Sequence, residues 1–361
     1  AASSMASVQR PDEEWDTVAE EYGPRIEPFT SLFCEPLLDA AAEALGAPLE
    51  GVAVLDVGCG TGALAVAACG RGALVTGTDV SSSMVECTAA RAEAAQLPIS
   101  ARVADGRSLP LEYSGSFGLA LSNFGSIFVQ PASESVEEML RCVRPGGVVG
   151  LTAWGGHHET EAFQLIPTLA RNLFGDPAPA VTPAVGPPLP PPVPPAVTPA
   201  VTPAVTPAAI PTVATAVAAA VTPAVPPNVT LPCQAPPLAS CLAIPEHRLQ
   251  GSVQSLCELL SSAGLESVRV IGPVTRQLRC AGAEVFWDRF ALAAPGTRRL
   301  LAGLSAVQHA ALKAAVLEAL RARFGDGEVQ LPAAAYVAVG VAKRPPPVRI
   351  GTAGFAGVAG H

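Results

Sequence analysis

Short apolar, β-rich runs alternate along this chain with stretches whose apolar positions recur at helical spacing. The runs are 52–57, 73–78, 100–104, 117–121 and 147–153, and the helical stretches between them are 62–69, 82–95 and 133–143. Alternation of that kind predicts a parallel sheet with helices on both faces. Residues 12–50 read as helical ahead of the first strand. Asp12 is the expected N-cap of a helix through Trp15, Val18 and Tyr22, and a second helix covers 37–45. Further on, SVQSLCELLSSAGL (252–265) is an amphipathic helix closed by Gly264, and ESVRVIG (266–272) is a sixth strand. Helices follow at 282–293 and 305–324, the latter opened by Ser305 and Gln308 as a capping box, and AYVAVGVAK (335–343) is a seventh strand. The expected class is α/β, a seven-stranded sheet with helices on both faces.

One segment breaks the pattern. Residues 176–237 hold 20 of the 37 prolines and five copies of VTPA, beginning at Val181, Val197, Val201, Val205 and Val221. Proline lacks the backbone donor that sheets and helices need and favours extended polyproline II, so this reads as a low-complexity, disordered insertion and not as a domain. Its functional reading is a Pro-rich protein-docking segment; a tolerated spacer is the plainer one. The resulting organisation is N-terminal lid helices (1–50), a core (51–175), the insertion (176–246), the rest of the core with cap helices (247–344) and a Pro/Gly-rich flexible tail (345–361).

The chemistry concentrates where the first strand ends. VAVLDVGCGTGA (52–63) runs from an apolar strand through Asp56 into Gly58, Gly60 and Gly62, and then into a helix. Glycine lets the backbone turn sharply and approach a ligand without a Cβ in the way. With Ala63 in sixth place the stretch also satisfies the dinucleotide fingerprint, so an NAD-dependent oxidoreductase is a competing reading. Asp56 favours a cationic ligand over a pyrophosphate, because a carboxylate two residues before the first glycine repels phosphate. S-adenosylmethionine (SAM) carries an ammonium and a sulfonium. The next strand ends in GTDVSSSM (77–84), which puts Asp79 where a carboxylate holds ribose hydroxyls. ARVADG (101–106) places Asp105 after a third strand, and RCVRPGGVVGLTAW (141–154) gives a helix end, a Pro-Gly-Gly turn and the fifth strand.

With LDVGCGTG, GTDVSSSM, VADG, FGLALSNFGSIFV and VRPGGVV in that order, the chain resembles the class I SAM-dependent methyltransferases. Within them it resembles the small-molecule group that includes the ubiquinone/menaquinone-type enzymes. WDTVAEEYGPRIEP (15–28) and LPAAAYVAVGVAKR (331–344) look like that group's two ends, so the resemblance covers roughly 12–174 and 247–344. It implies a Rossmann-like sheet, SAM as cofactor and methyl transfer to a small-molecule acceptor. It also implies roles for particular residues. Asp56, Gly58, Gly60 and Gly62 belong to the first motif, Asp79 holds the ribose with Val80 beside it, and Met84 lies beside the adenine. Asp105 accepts from the adenine amine, with Gly106 leaving room for the ring. Ser122 and Asn123 end the fourth strand, on the ligand-binding edge of such sheets. The family often has an acidic or aromatic residue there; here it is Ser-Asn-Phe, and acceptor chemistry stays open. A tyrosine at the position of Tyr22 often closes over the cofactor in the resembling enzymes.

His157 follows the fifth strand and is a candidate base near neutral pH, with a solvated loop pair His157–His158 as the plainer reading. Residues 12–30 and the helices at 282–324 flank the sheet's carboxyl edge in such an architecture, so a lid is expected there. Its candidate liners are Tyr22, Asn123, Trp154, His157 and Trp287, with Phe286 nearby.

Composition narrows the partners. A net charge of −9 with 22 basic residues and no dense basic run argues against nucleic acid or an anionic membrane surface. Nine cysteines, an odd number without paired C-x-x-C spacing, read as buried thiols in a reducing compartment, cytoplasmic or organellar, with no metal site. No stretch reads as a transmembrane helix. The first ten residues, AASSMASVQR, share the Ala/Ser-rich, acid-free composition of an organellar transit peptide. A non-catalytic scaffold using the Pro-rich segment is the alternative outside enzymology. Intact glycines and all three acids argue against it.

Overall fold

The computed structural model describes residues 11–175 and 251–343. The Pro-rich insertion, the first ten residues and the tail lie outside the described residues. The chain opens with α1 (Pro11–Asp16), α2 (Ala19–Arg25), α3 (Glu27–Thr30) and α4 (Cys34–Leu45). Then β1 (Ala53–Val57), α5 (Ala63–Cys69), β2 (Leu74–Asp79), α6 (Ser82–Ala94) and β3 (Ile99–Val103) alternate. They are followed by β4 (Phe117–Asn123), α7 (Ala132–Cys142), β5 (Val143–Trp154) and α8 (Glu161–Phe174). The second described segment contains α9 (Val253–Ser262), β6 (Glu266–Cys280), α10 (Ala283–Ala293), α11 (Pro295–Ala302), α12 (Ala306–Phe324) and β7 (Val329–Val341).

The strands form one seven-stranded sheet in the order β3-β2-β1-β4-β5-β7-β6. Neighbours from β3 to β5 are parallel, and β7 runs antiparallel to both β5 and β6. The apolar runs of β1 and β4 are buried on both faces, as central parallel strands require. One face is covered by α4 and α5, where Leu37, Leu38, Leu64 and Ala65 pack on Val54, Leu119 and Leu121. The other is covered by α7, α8 and α9 through Val136, Met139, Ile166, Leu256 and Leu260. Strand order reverses between β1 and β4, and the ends of these strands, at Val57 and Asn123, are the edge at which open α/β sheets bind ligands.

Some sequence expectations need correction. The helix through Trp15, Val18 and Tyr22 is two helices, and Asp12 lies inside the first rather than capping it. The break falls where the Asp16 side chain turns to the start of α6. α8 and α11 were not expected, since Pro167 interrupts the helical signal of the first and the second is short and polar. β6 and β7 run further than anticipated because they continue pairing with each other, Cys280 to Val329, after β5 has ended opposite Ala335. β6 and β7 carry α8 and α10, and α11 and α12 pack on those two helices to complete a cap. The Ser305–Gln308 capping box forms as expected, and Gly264 ends α9 with φ +95°.

Candidate functional site

β1 delivers Asp56 into the interior, where 1% of its surface is exposed and neither carboxylate oxygen has a hydrogen-bond partner. Burial, and next the charge of Asp79, push its pKa up to about 8; the Ala65 amide offsets this slightly without closing a hydrogen bond. The turn that follows depends on glycine. Gly58, Gly60 and Gly62 have φ of +71°, +54° and +91°, and a Cβ on Gly58 would stand 2.7 Å from the Gly125 Cα after β4.

This glycine loop is held from several directions. The Gly58 and Cys59 amides donate to the Thr78 carbonyl at 2.8 and 2.9 Å. Asp79 accepts from the Gly60 amide at 2.9 Å and from the Ser81 amide at 3.0 Å. Burial raises the Asp79 carboxyl, while those amides favour its charged form. From α6, the Thr88 hydroxyl donates to the Gly60 carbonyl at 2.8 Å and Arg91 to the Thr61 carbonyl at 3.3 Å. Glu27 of α3 accepts from the Thr61 hydroxyl and, at 2.6 Å, from Arg91.

Past β2, Val80 is half-buried and the Ser81 hydroxyl caps α6 by accepting from the Met84 amide at 3.1 Å. Met84 is buried against Val18 and Ala19, with Trp15 and Tyr22 beside them. Trp15 stands edge-on to Phe128, 4.9 Å between centroids, so the N-terminal segment bridges the regions after β2 and β4. Asp16 accepts from the Ser81 hydroxyl at 2.6 Å and the Ser83 amide at 3.1 Å. Burial pulls its carboxyl up, but these donors hold it below the ordinary value.

Beyond β3, Asp105 is half-exposed and takes the Arg107 guanidinium on both oxygens, at 2.7 and 3.1 Å, as well as the Arg107 amide at 2.9 Å. Burial raises its carboxyl and Arg107 more than compensates, leaving it below the ordinary value. Gly106 packs close to Val57, which brings the third motif alongside the first. At the end of β4 the side chains serve the protein itself. The buried Ser122 hydroxyl donates to the Val57 carbonyl at 2.6 Å and accepts from the Ser126 amide at 2.9 Å. The Asn123 amide donates to the Thr30 carbonyl at 3.1 Å and its oxygen accepts from Thr152 at 2.9 Å.

The two candidate catalytic residues lie on different elements. Tyr22 faces the glycine-loop region. Burial pushes its phenol up to about 12, Thr30 opposes, and Glu27 and Asp79 add to the rise. It therefore stays protonated at pH 7. His157 is exposed on the turn after β5; its neighbour Glu159 accepts from the Tyr336 hydroxyl and the Gly156 amide, both at 2.9 Å. Trp154 is buried, stacked on Phe124 at 3.8 Å and flanked by Phe163. Trp287 packs edge-on to His309, and Phe286 is fully buried against Phe290. Glu27, Asp16, Thr88 and Arg91 were not among the expected site residues, and no spacing in the sequence marks them.

Strand order and glycine loop coincide with the comparison by family. Residues 54–147 match the family model described as a methyltransferase domain. The chain carries a class I SAM-dependent methyltransferase domain. An uncharacterized protein of Mycobacterium tuberculosis is 33% identical over 119 residues, 33% of this chain and 42% of that one. Nocamycin O-methyltransferase of Saccharothrix syringae is 36% identical over 109 residues, 29% of this chain and 39% of that one. Ubiquinone biosynthesis O-methyltransferase of Caulobacter vibrioides is 32% identical over 111 residues, 31% of this chain and 43% of that one. The chain thus spans about two-fifths of the length of these curated relatives. Among solved structures, the YcgJ protein of Bacillus subtilis aligns over 86% of this chain and 100% of that one, with 14% identity and a TM-score of 0.46. The domain occupies the part of the fold that contains Asp56, the glycine loop, Asp79 and Asp105. Among the described residues, no group of side chains is arranged to hold a metal ion, and no helix is long and apolar enough to cross a membrane.

Proposed function

We propose that the protein transfers a methyl group from SAM to a small-molecule acceptor. The observation that carries the reading is Asp56, a buried carboxylate without a partner at the mouth of a glycine loop. A buried charge in that state is costly, and a ligand ammonium supplies what the fold leaves missing. The residues therefore fit the cofactor. Asp56 would take the ammonium, the Gly58–Gly62 backbone would admit the ligand closely, and Asp79 has lone pairs left for a ribose diol beyond the two amides it binds. Met84 offers an apolar face for the adenine, with Asp105 and Gly106 at its far edge. When bound, SAM supplies a methyl group already activated for displacement.

The chain's own task is then positioning, for which effective molarities of roughly 10⁵–10⁸ M are available. Tyr22 would orient a donor or acceptor group through its neutral hydroxyl. The segment 12–30 would form one wall of the acceptor side, and the cap helices the other. They already touch, since Arg298 donates to the Thr17 carbonyl at 2.6 Å, Arg299 pairs with Glu14, and α10 packs on α2. Net charge −9 favours a small molecule over nucleic acid. The seven described cysteines are free thiols, which suits a reducing compartment. The test is release of S-adenosylhomocysteine from SAM across a metabolite panel of hydroxyl, amine and carboxylate acceptors. An active acceptor whose turnover is lost in Asp56→Asn supports the reading; no turnover and no SAM binding refutes it.

A further inference from the structure

Glu27 was not among the expected site residues, yet it is the point at which the N-terminal segment grips the glycine loop. Its side chain is 12% exposed and carries two contacts of different origin: the Thr61 hydroxyl, between Gly60 and Gly62, and the Arg91 guanidinium from α6. Arg91 also reaches the Thr61 carbonyl, so both polar ends of Thr61 are tied to the same ion pair. Three residues on, the Thr30 carbonyl accepts from Asn123 at the end of β4. The one turn of α3 is therefore clipped between the glycine loop and β4, across the place where the sheet opens.

Charge makes the arrangement informative. Asp56, Asp79 and Glu27 put three carboxylates around the loop. Glu27 is the one with a full counter-ion, and its removal would leave Arg91 facing a loop carbonyl alone. Opening of the segment would break both Glu27 contacts at once. Closure also sets Tyr22 over the same region, with Glu27 among the charges its phenol feels.

From this geometry we infer that Glu27 is a positioning residue for the methyl donor: through Thr61 and Arg91 it fixes the glycine loop in its ligand-binding shape and couples cofactor occupancy to closure of residues 15–30. The inference rests on the methyltransferase reading above. It differs from a purely structural role in what it would move. Loosening a mere packing contact lowers stability, whereas loosening this latch lowers donor affinity and speeds donor release while leaving the acceptor KM alone.

The experiment is titration of the full chain and its variants with S-adenosylhomocysteine and SAM, with melting temperatures alongside. Glu27→Gln is expected to weaken both ligands about tenfold, within the usual range of coupling between sites, with little change in Tm. Thr61→Val should do the same, Thr61→Ser should retain wild-type affinity, and Glu27→Gln combined with Thr61→Val should be no worse than either alone. Glu14→Gln, which frees the segment only at its outer Arg299 contact, should bind as wild type. Hydrogen exchange of residues 15–30 should slow on adding S-adenosylhomocysteine in wild type and not in Glu27→Gln. If Glu27→Gln fails to fold, the Thr61 pair reads the same latch. Wild-type affinity in Glu27→Gln or Thr61→Val, or additive losses in the double variant, would overturn the inference and leave the methyltransferase reading standing. A wild-type protein that binds neither ligand would take down both.

Discussion

Replacing Asp56 by Asn should make the ligand-free protein more stable and its donor site worse. Asp56 is buried without a partner, and its carboxyl is pushed from 3.8 to about 8. At about 1.4 kcal/mol for each tenfold change in proton affinity, ionising it in the empty fold costs on the order of 5 kcal/mol. The folded state keeps a proton that the unfolded chain gives up above pH 4. Stability from this group is therefore whole below that pH, falls as pH rises toward 8, and levels off beyond. At pH 7 the accumulated loss is about 4 kcal/mol by the same conversion. Asn removes it but buries an equally unpartnered amide, at a cost of ~1–3 kcal/mol. The net expectation is a gain of about 1–3 kcal/mol at pH 7, vanishing toward pH 5 and growing to pH 8. Thermal unfolding of both proteins from pH 5 to 9 reads this as diverging melting curves. The same variant should bind S-adenosylhomocysteine about 10- to 100-fold more weakly, since the ammonium loses a charge-assisted partner. Parallel pH curves, or an Asn variant less stable at pH 8, would show that Asp56 is already satisfied in the empty protein and would remove the main reason for placing the ammonium there.

Asp79→Ala should weaken SAM binding by about 1.5–3 kcal/mol and also lower stability, because the Gly60 and Ser81 amides lose their acceptor; unchanged affinity by calorimetry would exclude Asp79 as the ribose ligand. Asp16→Ala should cost about 0.5–2 kcal/mol of stability through the start of α6, the usual worth of a cap; an unchanged Tm would show that Ser81 alone suffices. Tyr22→Phe should reduce turnover on an identified acceptor without shifting its pH profile, since a phenol raised to about 12 does not ionise in the assay range; a lost basic limb would contradict this. His157→Gln should leave turnover nearly unaltered if its exposed side chain takes no part in the reaction; a large loss would support His157 as a base.

The central sheet was legible because β1 and β4 are buried on both faces, and their apolar runs have no other use in a chain of this kind. The glycine loop was legible because three left-handed positions in five residues leave almost no choice but glycine. The outer strands were less so. β6 continues through Gly272-Pro273, a dipeptide that reads as a turn, and past it Arg276 interrupts the apolar alternation of Val274, Leu278 and Cys280. The contacts that shape the site were invisible for a different reason. Glu27 meets Thr61 from 34 positions away, and Asp16 meets Ser81 from 65, so no local period links them. Ser122 and Asn123 show the converse. Their position at the strand end was right, but their hydrogen bonds go to Val57, Thr30 and neighbouring turns. Acids also differ once neighbours are known. Asp105 pairs with Arg107, two residues on, whereas Asp56 pairs with nothing.

The most direct test is isothermal titration of the wild-type chain with SAM, S-adenosylhomocysteine and NAD, repeated with SAM in buffers of different ionisation enthalpy. One equivalent of SAM and of S-adenosylhomocysteine should bind and NAD should give no heat. Below pH 8 SAM binding should release a proton that Asp56→Asn does not release, because the arriving ammonium ionises Asp56. Binding of NAD in place of SAM, or SAM binding with the same proton count in wild type and Asp56→Asn, would contradict the donor site built here around Asp56.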